Sequence, residues 1–389
     1  MTLFFEIILF ICVFLFLHTY IFYPFLIYIL SKISPVKLEK SEYYEPSVSV
    51  LIAAHNEELV IEETLKTLLN SNYPVDKIQI LVGSDNSVDN TNKIVTRLSE
   101  KHPQIRIFEL SQRSGKPGAL NSIVKHASNE IICFCDSNTI YDKNAIKNMV
   151  KHYADSRVGG VCGRLILTES DFSGYSGNEE KSYWNIENQI KISEGKLGCL
   201  IGANGGIYSI RRGLYIDYPV GKPIIDDLLL PLKIMEKGYY FLYEPEAFAT
   251  ETIAPSAKEE LKRKVRISIS NFGTLSLLKP YLNPFGGLKS FAFWSHKLLR
   301  WVSGYFMILI FIALLFLMRQ NDFYLYIALM YFAFFVSGLA GFLLSKLNLK
   351  LFPFNLIWYF IAMTFSLFSG SIKFMTTKTS GTWEPTKRA

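Results

Sequence analysis

Glu130-Ile-Ile-Cys-Phe-Cys-Asp-Ser-Asn-Thr139 reads as a buried strand: apolar and β-branched residues run together and stop abruptly at Asp136-Ser137-Asn138. In an open α/β sheet, ligands bind at the carboxyl ends of the strands, so the point where Asp136 emerges is a place for chemistry. A carboxylate and a side-chain carbonyl two residues apart are hard oxygen donors, suited to a Mg²⁺ or Mn²⁺ ion carrying a diphosphate. Asp136 equally suits the cap of a helix beginning near Asp142. The surrounding pattern has to decide between the two.

Working back towards the N-terminus, strand, turn and helix alternate from Ser47 onwards. Val48–Ala54 is a strand with His55-Asn56-Glu57-Glu58 at its end, followed by an amphipathic helix marked by Leu59, Ile61, Leu65, Leu68 and Leu69. Ile78–Val82 is a second strand, ending in Gly83-Ser84-Asp85-Asn86-Ser87-Val88-Asp89. Ile105–Leu110 is a third, and Ser114-Gly-Lys-Pro-Gly-Ala-Leu-Asn121 opens the next helix. Such alternation predicts an α/β fold with a mostly parallel sheet, and polar residues stand at the end of strand after strand. Asn56 and Glu57 suit a ribose or base edge, Asp85 a nucleobase N–H, and Lys116 a phosphate at a helix start. Gly115 and Gly118 permit close approach. Singly, each has an ordinary explanation: Asp85 and Asn86 as turn formers, Asp89 as an N-cap, Lys116 as a solvated charge. Their coincidence on one sheet edge favours a site.

These motifs, Ala54-His-Asn-Glu-Glu58, Ser84-Asp-Asn-Ser-Val-Asp89, Gly115-Lys-Pro-Gly-Ala-Leu-Asn121 and Asp136-Ser-Asn138, resemble in order those of the family 2 glycosyltransferases. More narrowly they are similar to the membrane-bound branch that includes poly-N-acetylglucosamine, hyaluronan and cellulose synthases. The resemblance runs from about Ser47 to the end of the chain. It implies a GT-A fold, an inverting mechanism, a nucleotide-sugar donor and a divalent metal. It assigns His55, Asn56, Glu57, Asp85, Lys116 and Arg266 to the nucleotide sugar and Asp136 with Asn138 to the metal; many relatives carry a second Asp where Asn138 stands.

Further along, Val158–Leu167 reads as an edge strand, followed by a polar insertion, Glu169–Asn178. Gly202-Ala-Asn-Gly-Gly-Ile-Tyr-Ser-Ile-Arg-Arg212 joins a glycine-rich loop to a short strand. Its small residues leave room for a sugar or make a tight strand entry, and the resemblance places an acceptor floor at Gly205 and Gly206. Asp226-Asp227 resembles the family's Glu-Asp pair, with Asp226 beside the acceptor and Asp227 as general base. Displacing a nucleoside diphosphate requires a base for the acceptor hydroxyl, and adjacent carboxylates can differ in pKa. The pair also suits a helix N-terminus, worth about 1 kcal/mol. Where the family has Gln-x-x-Arg-Trp, this chain reads Arg263-Lys-Val-Arg-Ile267. Arg266 keeps the arginine and Arg263 takes the acceptor-side position, but the missing Gln and Trp count against long-chain polymerisation.

Composition agrees with a soluble domain framed by membrane segments: 389 residues, 50% hydrophobic, 19% charged, with the apolar residues concentrated at both ends. Phe4–Leu30 can cross a bilayer of about 30 Å, and Lys32, Lys37 and Lys40 after it place the next domain in the cytoplasm. The expected division is an N-terminal helix at 1–31, the transferase domain at 47–256, an amphipathic interface region at 257–290, membrane helices at 291–375 and a tail at 376–389. Three apolar stretches, Trp301–Met318, Phe323–Leu344 and Leu351–Phe374, follow Ser295-His-Lys-Leu-Leu-Arg-Trp301. The net charge of +7 suits anionic lipid, and no base-reading motif points to nucleic acid. The five cysteines lack metal-ligand spacing and read as reduced core residues. A saccharide acceptor, with partner subunits for synthesis or export, is the leading expectation; a lipid acceptor (a glycolipid synthase) and a non-catalytic nucleotide-binding subunit are the alternatives. A pure transporter would carry more midplane polar residues than Ser303, Ser337 and Ser366.

Overall fold

The computed structural model describes residues 1–168, 177–252, 257–347, 349 and 351–377. Residues 169–176 of the polar insertion and the tail from 378, with Thr382 to Pro385, lie outside the described residues. The chain opens with α1 (Thr2–Leu17), a π-helical turn (His18–Phe22) and α2 (Tyr23–Ile33). The α/β part then runs β1 (Val48–Ala54), α3 (Ile61–Leu69), β2 (Ile78–Ser84), α4 (Thr91–Lys101), β3 (Ile105–Glu109), α5 (Gly115–Val124), β4 (Ile131–Asp136), β5 (Ile140–Tyr141) and α6 (Ala145–Val150). It continues through β6 (Val158–Thr168), α7 (Gly177–Lys196), β7 (Tyr208–Arg211), α8 (Asp226–Glu236) and β8 (Tyr240–Thr252). The last part is helical: α9 (Ala257–Leu275), α10 (Leu288–Phe293), α11 (Leu299–Trp301), α12 (Ser303–Leu317), α13 (Asp322–Lys346) and α14 (Phe354–Thr376).

One eight-stranded sheet has the order β3-β2-β1-β4-β7-β6-β8-β5. β3, β2, β1 and β4 are parallel, and their carboxyl ends are level: Ala53 pairs with Gly83 on one side and Asp136 on the other. The segments starting at His55, Asp85 and Asp136 therefore leave the sheet side by side. β7 runs antiparallel to β4, with Tyr208 opposite Phe134, so the glycine-rich residues just before β7 arrive beside Asp136. This reversal brings the glycine-rich loop to the ends of the parallel strands.

Val158–Leu167 is not at an edge. β6 lies between β7 and β8, and its first six residues are all buried. Three of them are glycines, one flat enough to accept the Phe241 ring where a Cβ at Gly160 would stand. A run this small and apolar fits between two strands and two layers. The helix after β1 is also narrower than its pattern suggests: Ile61, Leu65 and Leu68 are buried, whereas Leu59 precedes it and is exposed.

Apolar side chains cover both faces of the sheet. Val50, Ile52, Cys133 and Cys135 face α3, α4 and α6, while Leu51, Phe134 and Tyr208 face α5, α7 and α8. All five cysteines are buried and unbridged. The second cluster reaches beyond the sheet to Tyr23 and Ile27 of α2, and to Phe293 and Trp301 near the later helices. Among the described residues three helices are long and apolar enough to cross a membrane: Thr2–Ile33, Asp322–Lys346 and Phe354–Thr376. Leu288–Trp301 and Ser303–Leu317, bent by 63°, make a fourth if they form one span. α9 packs on the end of α14, where the Ser268 hydroxyl donates to the Leu367 carbonyl at 2.6 Å.

A buried ionic network ties these helices to the sheet. His296 is fully buried in the second π-helical turn (Trp294–Leu298), with Nδ1 2.7 Å from Glu194 and Nε2 2.9 Å from Glu187, both on α7. Glu187 also meets Lys297 at 2.6 Å and Arg300 at 2.8 Å, and Tyr23 of α2 donates to Glu194 at 2.6 Å. Burial opposes ionisation of Glu187, but His296, Lys297 and Arg300 hold its carboxyl well below the usual range.

Candidate active site

The loops after β1 and β2 are laced together before they offer anything to a ligand. His55 donates from Nδ1 to the Asp85 carbonyl at 2.7 Å, and Asn56, in the left-handed region at φ 54°, accepts from the Val88 amide at 2.9 Å. Glu57 is buried, its amide donating to Thr91 Oγ1 at 2.8 Å. Asp89, the residue before the α4 N-cap, accepts from the Thr91 amide at 2.9 Å.

Asp85 is 1% exposed, and both its oxygens are taken: Oδ1 accepts from the Ser114 amide at 2.7 Å and Oδ2 from Gly115 at 2.8 Å. In this structure the carboxylate thus organises the entrance to α5, where Gly115 has φ 74°. The reward is the placement of the next residue. Lys116 Nζ lies 2.9 Å from Asp136 Oδ1 and 3.1 Å from Asp226 Oδ2, bridging the end of β4 and the start of α8. The second contact is an ion pair without hydrogen-bond alignment. Burial works against the ammonium charge, but Asp136, Asp226 and Asp227 outweigh it and raise the Lys116 pKa.

Asp226 and Asp227 are the first two residues of α8, where acidic side chains suit the helix dipole. Burial, then the adjacent Asp226 charge, pushes Asp227 up to about 7, with Lys116 and Lys191 pulling the other way. A carboxyl in that range is poised to take up a proton near neutrality. Gly205 lies against it: a Cβ there would stand 2.9 Å from Asp227 Oδ2 and 3.5 Å from both Asp136 Oδ2 and Lys116 Nζ. At Gly206 a Cβ would strike the Thr139 hydroxyl. The loop is anchored to the acid pair itself, since the Ala203 amide donates to the Asp227 carbonyl at 2.7 Å.

The structure therefore brings together Lys116, Asp136, Gly205, Asp226 and Asp227. Asn138 sits beside them in sequence, its amide donating to Glu251 at 2.8 Å. Asp136 and Asn138 fit a divalent cation by donor type, as two hard oxygens leaving the rest of the shell to water and phosphate. Among the described residues no group of three His, Cys, Asp or Glu side chains forms a metal cage. The Arg263 guanidinium pairs at 2.7 Å and 3.0 Å with Glu260, itself 1% exposed, on its own helix. Arg266 lies one turn further along α9. Lys191 and Asn204, which the sequence does not single out, lie behind the Gly205 loop. The signal for Lys191 was faint: Glu187, Lys191 and Glu194 share one face of α7, a charged face that is nevertheless buried.

Comparison with known proteins agrees with this geometry. The profile of Glycosyl transferase family 2 matches residues 49–215. The Bacillus subtilis (strain 168) protein named "Probable glycosyltransferase YdaM" is 29% identical over 236 residues, 58% of this chain and 55% of that protein. The poly-beta-1,6-N-acetyl-D-glucosamine synthase of Staphylococcus aureus (strain COL) is 27% identical over 243 residues, 61% of this chain and 57% of its own. The chain thus spans little more than half the length of these curated relatives. The mannosyltransferase PcManGT from Pyrobaculum calidifontis, solved with GDP-Man and Mn²⁺, superposes with a TM-score of 0.71 at 21% identity, covering 95% of this chain and 99% of that one. That likeness establishes a shared GT-A-like fold. Residues 49–215 of this chain thus carry a Glycosyl transferase family 2 domain.

Proposed function

We propose that this chain transfers a sugar, with inversion, from a nucleotide-sugar donor to a saccharide acceptor at the cytoplasmic face of a membrane, in polysaccharide synthesis. A UDP-sugar is the favoured donor, UDP-N-acetylglucosamine first; the staphylococcal relative's name supports that choice. The observation that carries the reading is Asp227, half-buried, raised to about 7 and in contact with the Gly205 position beside Lys116 and Asp136. Asp227 takes the proton of the acceptor hydroxyl as its oxygen bonds to the anomeric carbon and the nucleoside diphosphate departs on the opposite face. Lys116 meets the charge on the leaving diphosphate, with Arg266 as the second cation; His55, Asn56, Glu57 and Asp85 shape the nucleoside end, and Asp226 and Gly206 complete the acceptor side. Asp136 and Asn138 would hold Mg²⁺ or Mn²⁺, which supplies charge neutralisation to the diphosphate when bound. This chemistry takes place at a lipid surface, in a multi-pass arrangement with the sheet on the cytoplasmic side, a reading supported by helices long and apolar enough to cross a membrane.

A second reading transfers one sugar to a lipid. The ion pair that occupies Arg263 favours it, because the position corresponding to the processive synthases' Gln is turned to Glu260.

The test is nucleoside diphosphate release by the full chain in native membranes from a panel of UDP- and GDP-sugars, with Mg²⁺ or Mn²⁺, beside Asp227→Asn and Asp136→Ala. GDP-mannose is included because the Pyrobaculum structure contains it. Metal-dependent turnover lost in both variants is expected, and the size of the labelled product separates polymer from glycolipid. Nucleotide binding without turnover of any donor would favour a non-catalytic subunit or a missing export or synthase partner.

A further inference from the structure

Lys191 is on α7, its side chain 4% exposed, and its ammonium is held by neutral oxygens: Asn204 Oδ1 at 2.5 Å and the Ala203 carbonyl at 3.4 Å. The Trp184 ring centroid is 5.8 Å from it. Burying an ammonium is costly, and neutral partners offset less of that cost than a carboxylate does. The placement falls at a segment held from several sides. Asn204 also donates from Nδ2 to the Gly163 carbonyl at 2.7 Å and from its amide to Cys162 Sγ at 3.1 Å. Ala203 is bonded to the Asp227 carbonyl at 2.7 Å. The segment is thus gripped by β6, by α8 and, through Lys191, by α7; the next residue is Gly205, against the Asp227 carboxylate.

We propose that Lys191 is a positioning residue for the acceptor: by holding Asn204 and Ala203 it sets Gly205 against Asp227, and so shapes the floor on which the acceptor hydroxyl is presented. This rests on the reading of Asp227 as the base and of residues 202–206 as the acceptor floor. Lys191 does not touch the donor side in this scheme, where Lys116 and Asp136 meet. Its loss separates two activities that a general structural defect would lower together.

The experiment uses the full chain in native membranes with whichever nucleotide sugar it turns over fastest. Nucleoside diphosphate release is divided into hydrolysis, read as free labelled sugar, and transfer, read as label in the product. Lys191→Met is expected to lower transfer roughly 10- to 100-fold, with donor KM within about two-fold of wild type and hydrolysis retained. Lys191→Arg restores transfer in large part. Asn204→Ala reproduces the Lys191→Met pattern, and the double variant is no slower than the worse single one, as expected of two residues acting as one unit. Wild-type transfer in Lys191→Met overturns the proposal, as does a loss that multiplies with that of Asn204→Ala or falls equally on hydrolysis and transfer. Full turnover by Asp227→Asn, or no turnover of any donor by the native chain, removes the underlying reading and the proposal with it.

Discussion

Burial and the adjacent Asp226 charge raise Asp227 to about 7, whereas an ordinary aspartate titrates near 3.9. On the proposed role of Asp227 as base the deprotonated form is the active one, and kcat/KM should fall below about pH 7, roughly ten-fold per unit, with the acid limb reporting the free enzyme. The sign for stability is opposite. Between about 4 and 7 the folded state binds a proton that the unfolded chain releases, so acidification through that window stabilises the fold through this group as it silences the base. A profile of kcat/KM flat from pH 5 to pH 8, in the presence of a stable fold, would remove Asp227 from the base role. Gly205 offers a second check at the same scale. In Gly205→Ala the new methyl meets the Asp227 carboxylate at 2.9 Å, and turnover should fall about 10- to 100-fold with little change in melting temperature. Glycine here is required by the close approach, since it is not among the positive-φ residues.

At the scale of elements, the start of α5 depends on Asp85, which satisfies two amide donors at once. Asp85→Asn keeps the shape but turns a donor towards one of those amides, leaving a buried clash of like groups. A loss of about 1–3 kcal/mol is expected, read as a shift in thermal midpoint. Because Lys116 follows directly, donor KM should rise in the same variant; a normal midpoint with a raised KM would instead make Asp85 a substrate contact. The parallel half of the sheet was legible because each strand is a short apolar run closed by turn-forming polar residues, as at Val48–Ala54 and Ile131–Asp136. β6 was misplaced because glycines carry no hydropathy signal: Gly159, Gly160 and Gly163 leave room for Ile234, Phe241 and Ile207, which only the assembled sheet brings near. Lys191 was invisible for a similar reason. A lysine on a polar-looking helix reads as solvated, and its burial comes from contacts with residues 203 and 204 that no local pattern encodes. Asp136, Asp226 and Asp227 were readable because each stands at an element boundary, where a carboxylate is conspicuous.

At the scale of the molecule, the α/β part and the helices that flank it share one interior. Tyr23, Ile27, Phe293 and Trp301 are buried in the same cluster as Leu51, Phe134 and Leu230 of the sheet and α8. Glu187 and Glu194 reach across that boundary for His296, Lys297, Arg300 and Tyr23. A fragment of residues 47–256 keeps both glutamates and removes all four partners. Without those helices the two carboxylates face solvent, and the apolar surface that Tyr23, Ile27, Phe293 and Trp301 cover is bared, at about 25 cal/mol per Å². Domain stabilities are only about 5–15 kcal/mol, so baring one side of a shared core is decisive. The fragment should therefore show no cooperative thermal transition by circular dichroism, whereas the full chain in detergent melts cooperatively. Glu187→Gln in the full chain should lower that transition while the chain still folds, because the amide can accept from one partner but cannot balance His296, Lys297 and Arg300 together. A cooperative melt of the 47–256 fragment would show that the sheet is stable without the flanking helices, and that the charge network fixes their orientation instead of supporting the fold.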